Sequence, residues 1–221
     1  MKKIFMLAAV ALLALGMVSC NRGKGKWVDL GLPSGLLWAE CNLGASSPED
    51  YGYYYAWGET KPKAVYDWKT YLYGKVDSDG LHESLNKYST DYVYGTKDNL
   101  TELKAVDDAA AAVLGGGARI PTQDEWQELL DNCRREMTSQ NGVYGVKFTG
   151  PNDKSLFLPA AGYRIGSSLY NDGTNGYYWS ASLYESYQYG AWGMYFFSVD
   201  QGVGNGYRYH GLSVRAVRSQ N

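Results

Sequence analysis

The chain from Val143 onward limits the fold more than any other part of the sequence. Short apolar segments recur there between connectors rich in Gly, Ser, Asn and Tyr; they span 143–148, 155–158, 177–182, 191–199 and 212–218. Brief apolar runs bounded by turn-forming residues are typical of β-strands. The second half of the chain is therefore predicted to be β-structured, with Tyr-rich loops between its strands.

Two helices are predicted ahead of these strands. Apolar residues between Leu103 and Leu114 recur at helical spacing, and three glycines then end the helix. Thr122 and Glu125 form a capping box at the start of the second helix, in which each side chain can bond the other residue's N–H. The apolar face of that helix is Trp126, Leu129, Leu130 and Cys133. Residues 58–100 lack a clear period and predict a long loop region, where compact domains often carry function.

The N-terminus has the pattern of an export signal. Lys2 and Lys3 precede an uncharged apolar segment, 4–18, which is shorter than the roughly 20 residues of a membrane span. Residues 17–20 then resemble the lipobox of bacterial lipoproteins. We predict a lipoprotein signal peptide over residues 1–19, a lipidated tether over 20–26 with the lipid on Cys20, and one domain over 27–221. A transmembrane anchor or an ordinary secreted protein is the alternative.

Composition narrows the classes of function. The net charge is −2 and no basic cluster is present, which argues against nucleic-acid binding. The chain holds 21 Tyr and 7 Trp, and Tyr is favoured both in recognition loops and in β-strands. An oxidising envelope would permit a disulfide between Cys41 and Cys133.

Motifs for catalysis or metal binding are not evident. His82 and His210 are the two histidines, and neither lies in a recognisable nucleophile–base pattern. The cysteines lack zinc-ligand spacing. Residues 77–80 could begin a calcium loop, but the downstream Glu of that motif is missing, so a turn is the simpler interpretation. We predict a protein that is not an enzyme, with no cofactor and no bound metal.

Several segments carry a resemblance to a known family. They are 27–35, 52–59, 119–126, 158–164, 178–182 and 211–218, and they resemble the Fibrobacter succinogenes major paralogous domain of Bacteroidetes lipoproteins. The segments 119–126 and 214–218 are also similar to the formylglycine-generating-enzyme group. The resemblance implies an α+β, C-type-lectin-like fold with two helices, a small curled antiparallel sheet and long loops. Cysteine is absent after Cys133, however, so the oxidation chemistry of that enzyme group is not supported, and conventional calcium-lectin motifs are missing.

The same fold carries the variable proteins of diversity-generating retroelements, whose binding residues come from a mutated C-terminal stretch. Residues 163–210 hold 10 of the 21 Tyr residues. Tyr, Ser and His are among the residue types that such mutagenesis can produce. The resemblance therefore implies a ligand-binding face made of Tyr184, Ser186, Tyr187, Tyr189, Tyr195, Tyr207, Tyr209 and His210.

The predicted function is a lipid-anchored, non-enzymatic recognition module of the cell envelope. Its partner would be a protein or glycan on another cell, a phage or a host, and its contact with the membrane would be the Cys20 lipid. The predicted location is the outer membrane, facing outward, with the periplasmic face left open because the tether lacks an acidic export signal. A structural subunit of a surface assembly or fimbria, or an enzyme related to the formylglycine-generating group, are the alternatives.

Overall fold

The structure, a computed structural model, describes residues 26–77 and 83–220. The predicted signal peptide, Cys20 and His82 lie outside the described residues. Two α-helices occur in the described part of the chain, α1 (Ala109–Leu114) and α2 (Gln123–Asn132), with short 3-10 turns at Tyr92–Tyr94 and Ala105–Asp107. The strands are β1 (Trp27–Asp29), β2 (Leu37–Ala39), β3 (Gly74–Val76), β4 (Glu83–Leu85), β5 (Arg134–Gln140), β6 (Val143–Thr149), β7 (Ser155–Pro159), β8 (Tyr163–Ile165), β9 (Ser168–Tyr170), β10 (Gly176–Leu183), β11 (Gly190–Phe197), β12 (Asp200–Tyr207) and β13 (Val217–Arg218).

The α+β, C-type-lectin-like fold predicted from the sequence is wrong. The protein is predominantly β, with 38% strand and 12% helix. The described residues form five small separate sheets in place of one curled sheet, in the orders β1-β2-β13, β10-β11-β12, β3-β4, β5-β6-β7 and β8-β9. The prediction failed because strands form where loops were expected and because the first helix is short.

The capping residues at the start of each helix determine where that helix begins. The predicted capping box is confirmed: the Glu125 N–H donates to the Thr122 hydroxyl at 3.3 Å, and the Thr122 N–H donates to the Glu125 carboxylate at 2.8 Å. The first helix begins only at Ala109, because Asp108 caps it by accepting from the N–H groups of Ala110 and Ala111. Leu103 and Val106 therefore precede the helix.

A hairpin follows α2, and only its second strand, β6, was predicted. β5 pairs with β6 over seven positions, from Arg134 opposite Thr149 to Gln140 opposite Val143. The two-residue turn is Asn141-Gly142, and both residues have positive φ, 49° and 82°. That geometry belongs to the turn type for which Asn-Gly is the preferred sequence.

The core is built around buried tryptophans. Trp126 of α2 packs with Trp38 and Tyr178 beneath the sheet β10-β11-β12. Trp57, Trp126 and Trp179 are all fully buried. Their indole N–H groups donate to the carbonyl oxygens of Ser180, Trp179 and Tyr55, respectively. These bonds give each indole N–H an acceptor, which a buried tryptophan usually has.

Arg215 fixes the closing segment of the chain. It is fully buried, and its guanidinium donates to the Asn42 side chain and to the carbonyl oxygens of Ala39, Glu40 and Phe157. Arg215 thereby joins its own segment to two others, 39–42 and the segment of Phe157, through hydrogen bonds to their backbone and to Asn42. Cys41 and Cys133 both lie within the described residues, and no disulfide joins them. In the part of the chain that the structure describes, no helix is both long enough and apolar enough to span a membrane.

Candidate ligand-binding site

A cavity of about 360 Å³ opens beside the sheet β10-β11-β12. We call it the aromatic groove. Its lining is Tyr163, Tyr177, Tyr187, Gly190, Gly193, Met194, Tyr195, Gly204, Asn205, Gly206, Tyr207, His210 and Leu212. The volume lies at the lower end of the range of small-molecule sites, about 300 to 1,000 Å³. Six of these thirteen residues carry rings and four are glycines.

The glycines give the groove its floor. In β12 they alternate at 202, 204 and 206, and the strand register sets them opposite Tyr195, Gly193 and Ala191. Directly opposed residues share one face of a sheet, so this face carries the Tyr195 ring and, from β10, the Tyr177 and Trp179 rings, with glycines between them. A Cβ at Gly193 would come within 2.6 Å of the Tyr178 carbonyl oxygen, and one at Gly204 within 3.1 Å of the Tyr195 ring. Larger residues at these positions would clash or narrow the groove.

The groove is electrically neutral. Among the described residues of its lining, His210 is the one that could carry a positive charge, and none is acidic. Burial lowers the pKa of His210 from 6.5 to about 4, so the imidazole is neutral at physiological pH. Burial and the neighbouring Tyr207 hydroxyl raise the pKa of Tyr187 above its ordinary value of 10.0. The Tyr187 hydroxyl therefore also stays uncharged.

Several polar atoms remain available inside this neutral lining. The Nε2 atom of His210 is buried and makes no hydrogen bond within the described residues. The Tyr177 hydroxyl accepts from the Asn175 amide at 2.9 Å, which leaves its own proton for another acceptor. The groove can therefore form directed hydrogen bonds as well as apolar contacts.

A chain of touching rings continues from the groove across the surface. Tyr207 stacks on Tyr209 at 5.5 Å between ring centroids, and Tyr209 lies 5.0 Å from Trp68. Trp68 then contacts Tyr189 edge-on at 5.3 Å, and Tyr189 contacts Tyr94 at 5.1 Å. Edge-on and offset contacts of this kind add about 0.5 to 1.5 kcal/mol each beyond simple burial. They hold the rings in fixed positions.

Gln188 joins two distant segments beneath these rings. It is 2% exposed, in the turn between β10 and β11. Its side-chain oxygen accepts from the Ser89 hydroxyl at 2.8 Å and from the Thr90 N–H at 2.9 Å, and its amide nitrogen donates to the Thr90 hydroxyl at 2.6 Å. The loop that carries Tyr94 is thereby fixed to the turn that carries Tyr187.

The predicted site residues fall into three groups. Tyr187, Tyr195, Tyr207 and His210 line the groove. Tyr189 and Tyr209 do not line it but belong to the adjoining ring chain, and the Tyr189 hydroxyl donates to the Glu83 carbonyl at 2.6 Å. Tyr184 and Ser186 lie outside the groove: the Tyr184 ring meets Trp192 edge-on at 4.8 Å, and Ser186 is an exposed turn residue.

Sequence reasoning missed several residues of this surface. Trp68 and Tyr94 come from the region 58–100, whose length was the only signal that it could carry function. Tyr163 lies in a segment that carries the family resemblance and Tyr177 in a predicted strand, and neither pattern indicates a binding role. The alternating glycines of β12 were interpreted as a loop, because glycine is rare inside strands. Their spacing of two residues was the signal that could have identified a bare strand face.

Other clusters of chemical groups are structural in character. Asp107 accepts hydrogen bonds from Lys87, Tyr73 and Tyr88, so its charge is satisfied within the fold. A second cavity, of about 640 Å³, lies between the residues around Cys41 and the end of α1. No group of three or more His, Cys, Asp or Glu side chains among residues 26–77 and 83–220 is placed to hold a metal ion.

Comparison with known proteins gives one partial match. Residues 147–217 match a family model described as a domain of unknown function, DUF8237. The match covers less than half of the chain, but it includes every residue that lines the aromatic groove. Trp68 and Tyr94 fall outside it. No curated protein and no solved structure matches the chain.

Proposed function

We propose that the protein is a non-enzymatic recognition module of the cell envelope and that the aromatic groove, with its adjoining rings, is its binding site. The observation that carries this proposal is the continuous set of ring contacts from His210 and Tyr207 to Trp68 and Tyr94. Rigid aromatic side chains give large contact areas at low entropic cost, which is why binding surfaces are enriched in them.

The exposure of two tyrosines in this surface favours a role in ligand recognition over a role in internal packing alone. Tyr187 and Tyr207 are 41% and 42% exposed, although both touch other aromatic rings. Fixed but exposed aromatics rimming a concave surface are the arrangement that a ligand can bury without reordering the protein. Anchoring through Cys20 would set this surface at the membrane, where capture of another cell, a phage or a host molecule takes place.

The experiment compares two tyrosine variants of the full chain. An array of glycans and peptides would be probed with the wild type, with the double variant Tyr187→Ala/Tyr207→Ala, and with Tyr53→Ala. Tyr53 is the matched control, because it is 50% exposed and lines the second cavity instead.

We expect the wild type and the control to bind the same array members, and the double variant to lose at least about tenfold in affinity. All three should unfold at similar temperatures. Equal binding by the double variant would contradict this site, and stoichiometric copurification with envelope subunits would then favour a structural role.

A further inference from the structure

The chemistry of the groove restricts what can enter it. A carboxylate or ammonium group taken from water into this lining would find no opposite charge, and such burial is strongly unfavourable. Glu83 adds to this restriction, because its negative charge helps to raise the pKa of Tyr187 and of Tyr189 at the rim. The uncharged lining and the Glu83 carboxylate therefore both disfavour an anionic ligand, and a neutral ligand fits the groove best.

The hydrogen-bonding groups favour a ligand with several hydroxyls. The lining offers the unpartnered Nε2 of His210 and the hydroxyls of its tyrosines, which can both donate and accept. These groups are spread around the groove. A ligand with a single polar atom would leave the others buried without partners, which costs free energy.

The shape favours a flat ring with an apolar face. Tyr163 and Tyr177 meet edge-on at 5.1 Å, and His210 lies 5.7 Å from Tyr163, so the wall is made of rings at fixed angles. Gly193, Gly204 and Gly206 form another part of the groove surface, beside the Tyr195 ring. A pyranose has C–H groups that pack on the negative face of an aromatic ring and hydroxyls around its edge.

We propose that the aromatic groove binds a neutral hexose unit of a glycan. This inference rests on the function proposed above and names its ligand class. The hexose would pack its C–H face on the tyrosine rings, and one of its hydroxyls would hydrogen-bond to the Nε2 atom of His210.

The test uses ligand-observed saturation-transfer NMR with the purified full chain in detergent. The probes are the methyl glycosides of glucose, galactose and mannose, and the corresponding uronic acids, which differ by a carboxylate. N-acetyltyrosinamide serves as a neutral aromatic probe for a peptide ligand. We expect at least one neutral glycoside to bind at millimolar concentration, and its uronic acid to bind at least about tenfold more weakly.

Two variants tie the binding to the groove. His210→Phe keeps the ring contacts but removes Nε2, so we expect about a tenfold loss of glycoside binding with no fall in thermal stability. Gly206→Val fills the floor; a Cβ there meets the Trp179 ring at 3.6 Å, which is ordinary contact. It should also lose binding, whereas Tyr53→Ala should not.

The outcomes separate this inference from the function proposed above. Binding of N-acetyltyrosinamide alone, lost in Tyr187→Ala/Tyr207→Ala, would overturn the hexose assignment and leave the recognition site standing. Equal binding of glycosides and uronic acids, or undiminished glycoside binding by His210→Phe, would also overturn it. Saturation transfer that all groove variants retain would contradict the site itself.

Discussion

The guanidinium group of Arg208 lies 4.8 Å from the centroid of the Trp57 ring, inside the protein. Arg208 is fully buried, and it donates to the carbonyl oxygens of Lys87 and Tyr88. Its neighbours Tyr207 and Tyr209 point into the binding surface. The buried Arg208 thereby fixes its neighbours Tyr207 and Tyr209. It also fixes residues 87–88, which lead to the loop that carries Tyr94.

Replacing Arg208 should destabilise the whole protein. Arg208→Met removes both hydrogen bonds and the contact with Trp57, and it deprives the buried Tyr88 carbonyl oxygen and the partly buried Lys87 carbonyl oxygen of this donor, so we expect a loss of about 3 to 5 kcal/mol in the free energy of unfolding. Arg208→Lys should recover only part of it, because an ammonium group cannot reproduce the planar fork. Urea unfolding measures both, and a loss below about 1 kcal/mol for the Met variant would show that the buried arginine is not structural.

Replacing Gln188 should loosen the binding surface locally. Gln188→Leu leaves the Thr90 N–H without its acceptor, at a cost of about 1 to 3 kcal/mol, whereas the Ser89 hydroxyl keeps the Asp91 carbonyl oxygen as an acceptor. Hydrogen exchange should then accelerate in 184–190 and 88–95 more than in α2. Gln127→Leu is the control, since Gln127 bonds Asp131 on the exposed side of α2. Uniform acceleration across the domain would contradict a local clamp.

Acid should weaken the fold through His210. Its pKa is about 4 in the folded protein and 6.5 as the ordinary value. Between these two values the unfolded chain binds a proton that the folded protein rejects. Stability is therefore full above about pH 6.5 and falls as the pH drops toward 4, by up to about 1.4 kcal/mol per pH unit. Denaturant titrations across this range measure the slope. His210→Phe should flatten it, and an unchanged slope would assign the acid sensitivity to other groups.

Removing the predicted lipidation site should release the protein from the membrane. Cys20→Ser deletes the thiol that would carry the lipid, and a lipid anchor contributes about 0.8 kcal/mol per buried CH₂. Fractionation of cells should find the wild type with membranes and the variant in the soluble fraction. Cys41→Ser is the control and should stay with the membranes. Membrane association of the Cys20 variant would favour an uncleaved apolar anchor.

Local signals predicted local structure well. Thr122 and Glu125 determine the start of α2 by themselves, because a capping box needs only neighbouring residues. The Asn141-Gly142 pair was an equally local hairpin signal, and it was overlooked because the polar residues of β5 lack an apolar alternation. With that hairpin unrecognised, the sheet content was underestimated and the fold class was mistaken.

The binding surface could be predicted only in part. Four of the residues that line the groove, Tyr187, Tyr195, Tyr207 and His210, were among the predicted site residues. Trp68 and Tyr94 reach it through tertiary contacts with Tyr209 and Tyr189, and no sequence period records such contacts. Tyr184 has the same residue type as Tyr187 but packs on Trp192 instead, so residue type alone could not assign it.

The most direct test of the account is the location of a bound ligand on the full chain. Hydrogen–deuterium exchange would be measured with and without a ligand selected on the array. We predict that binding protects amides in 187–195 and 204–210 and leaves the second cavity, around 40–46, unchanged. Protection confined to that second cavity, or none in the two groove segments at saturating ligand, would contradict the assignment of the aromatic groove as the binding site.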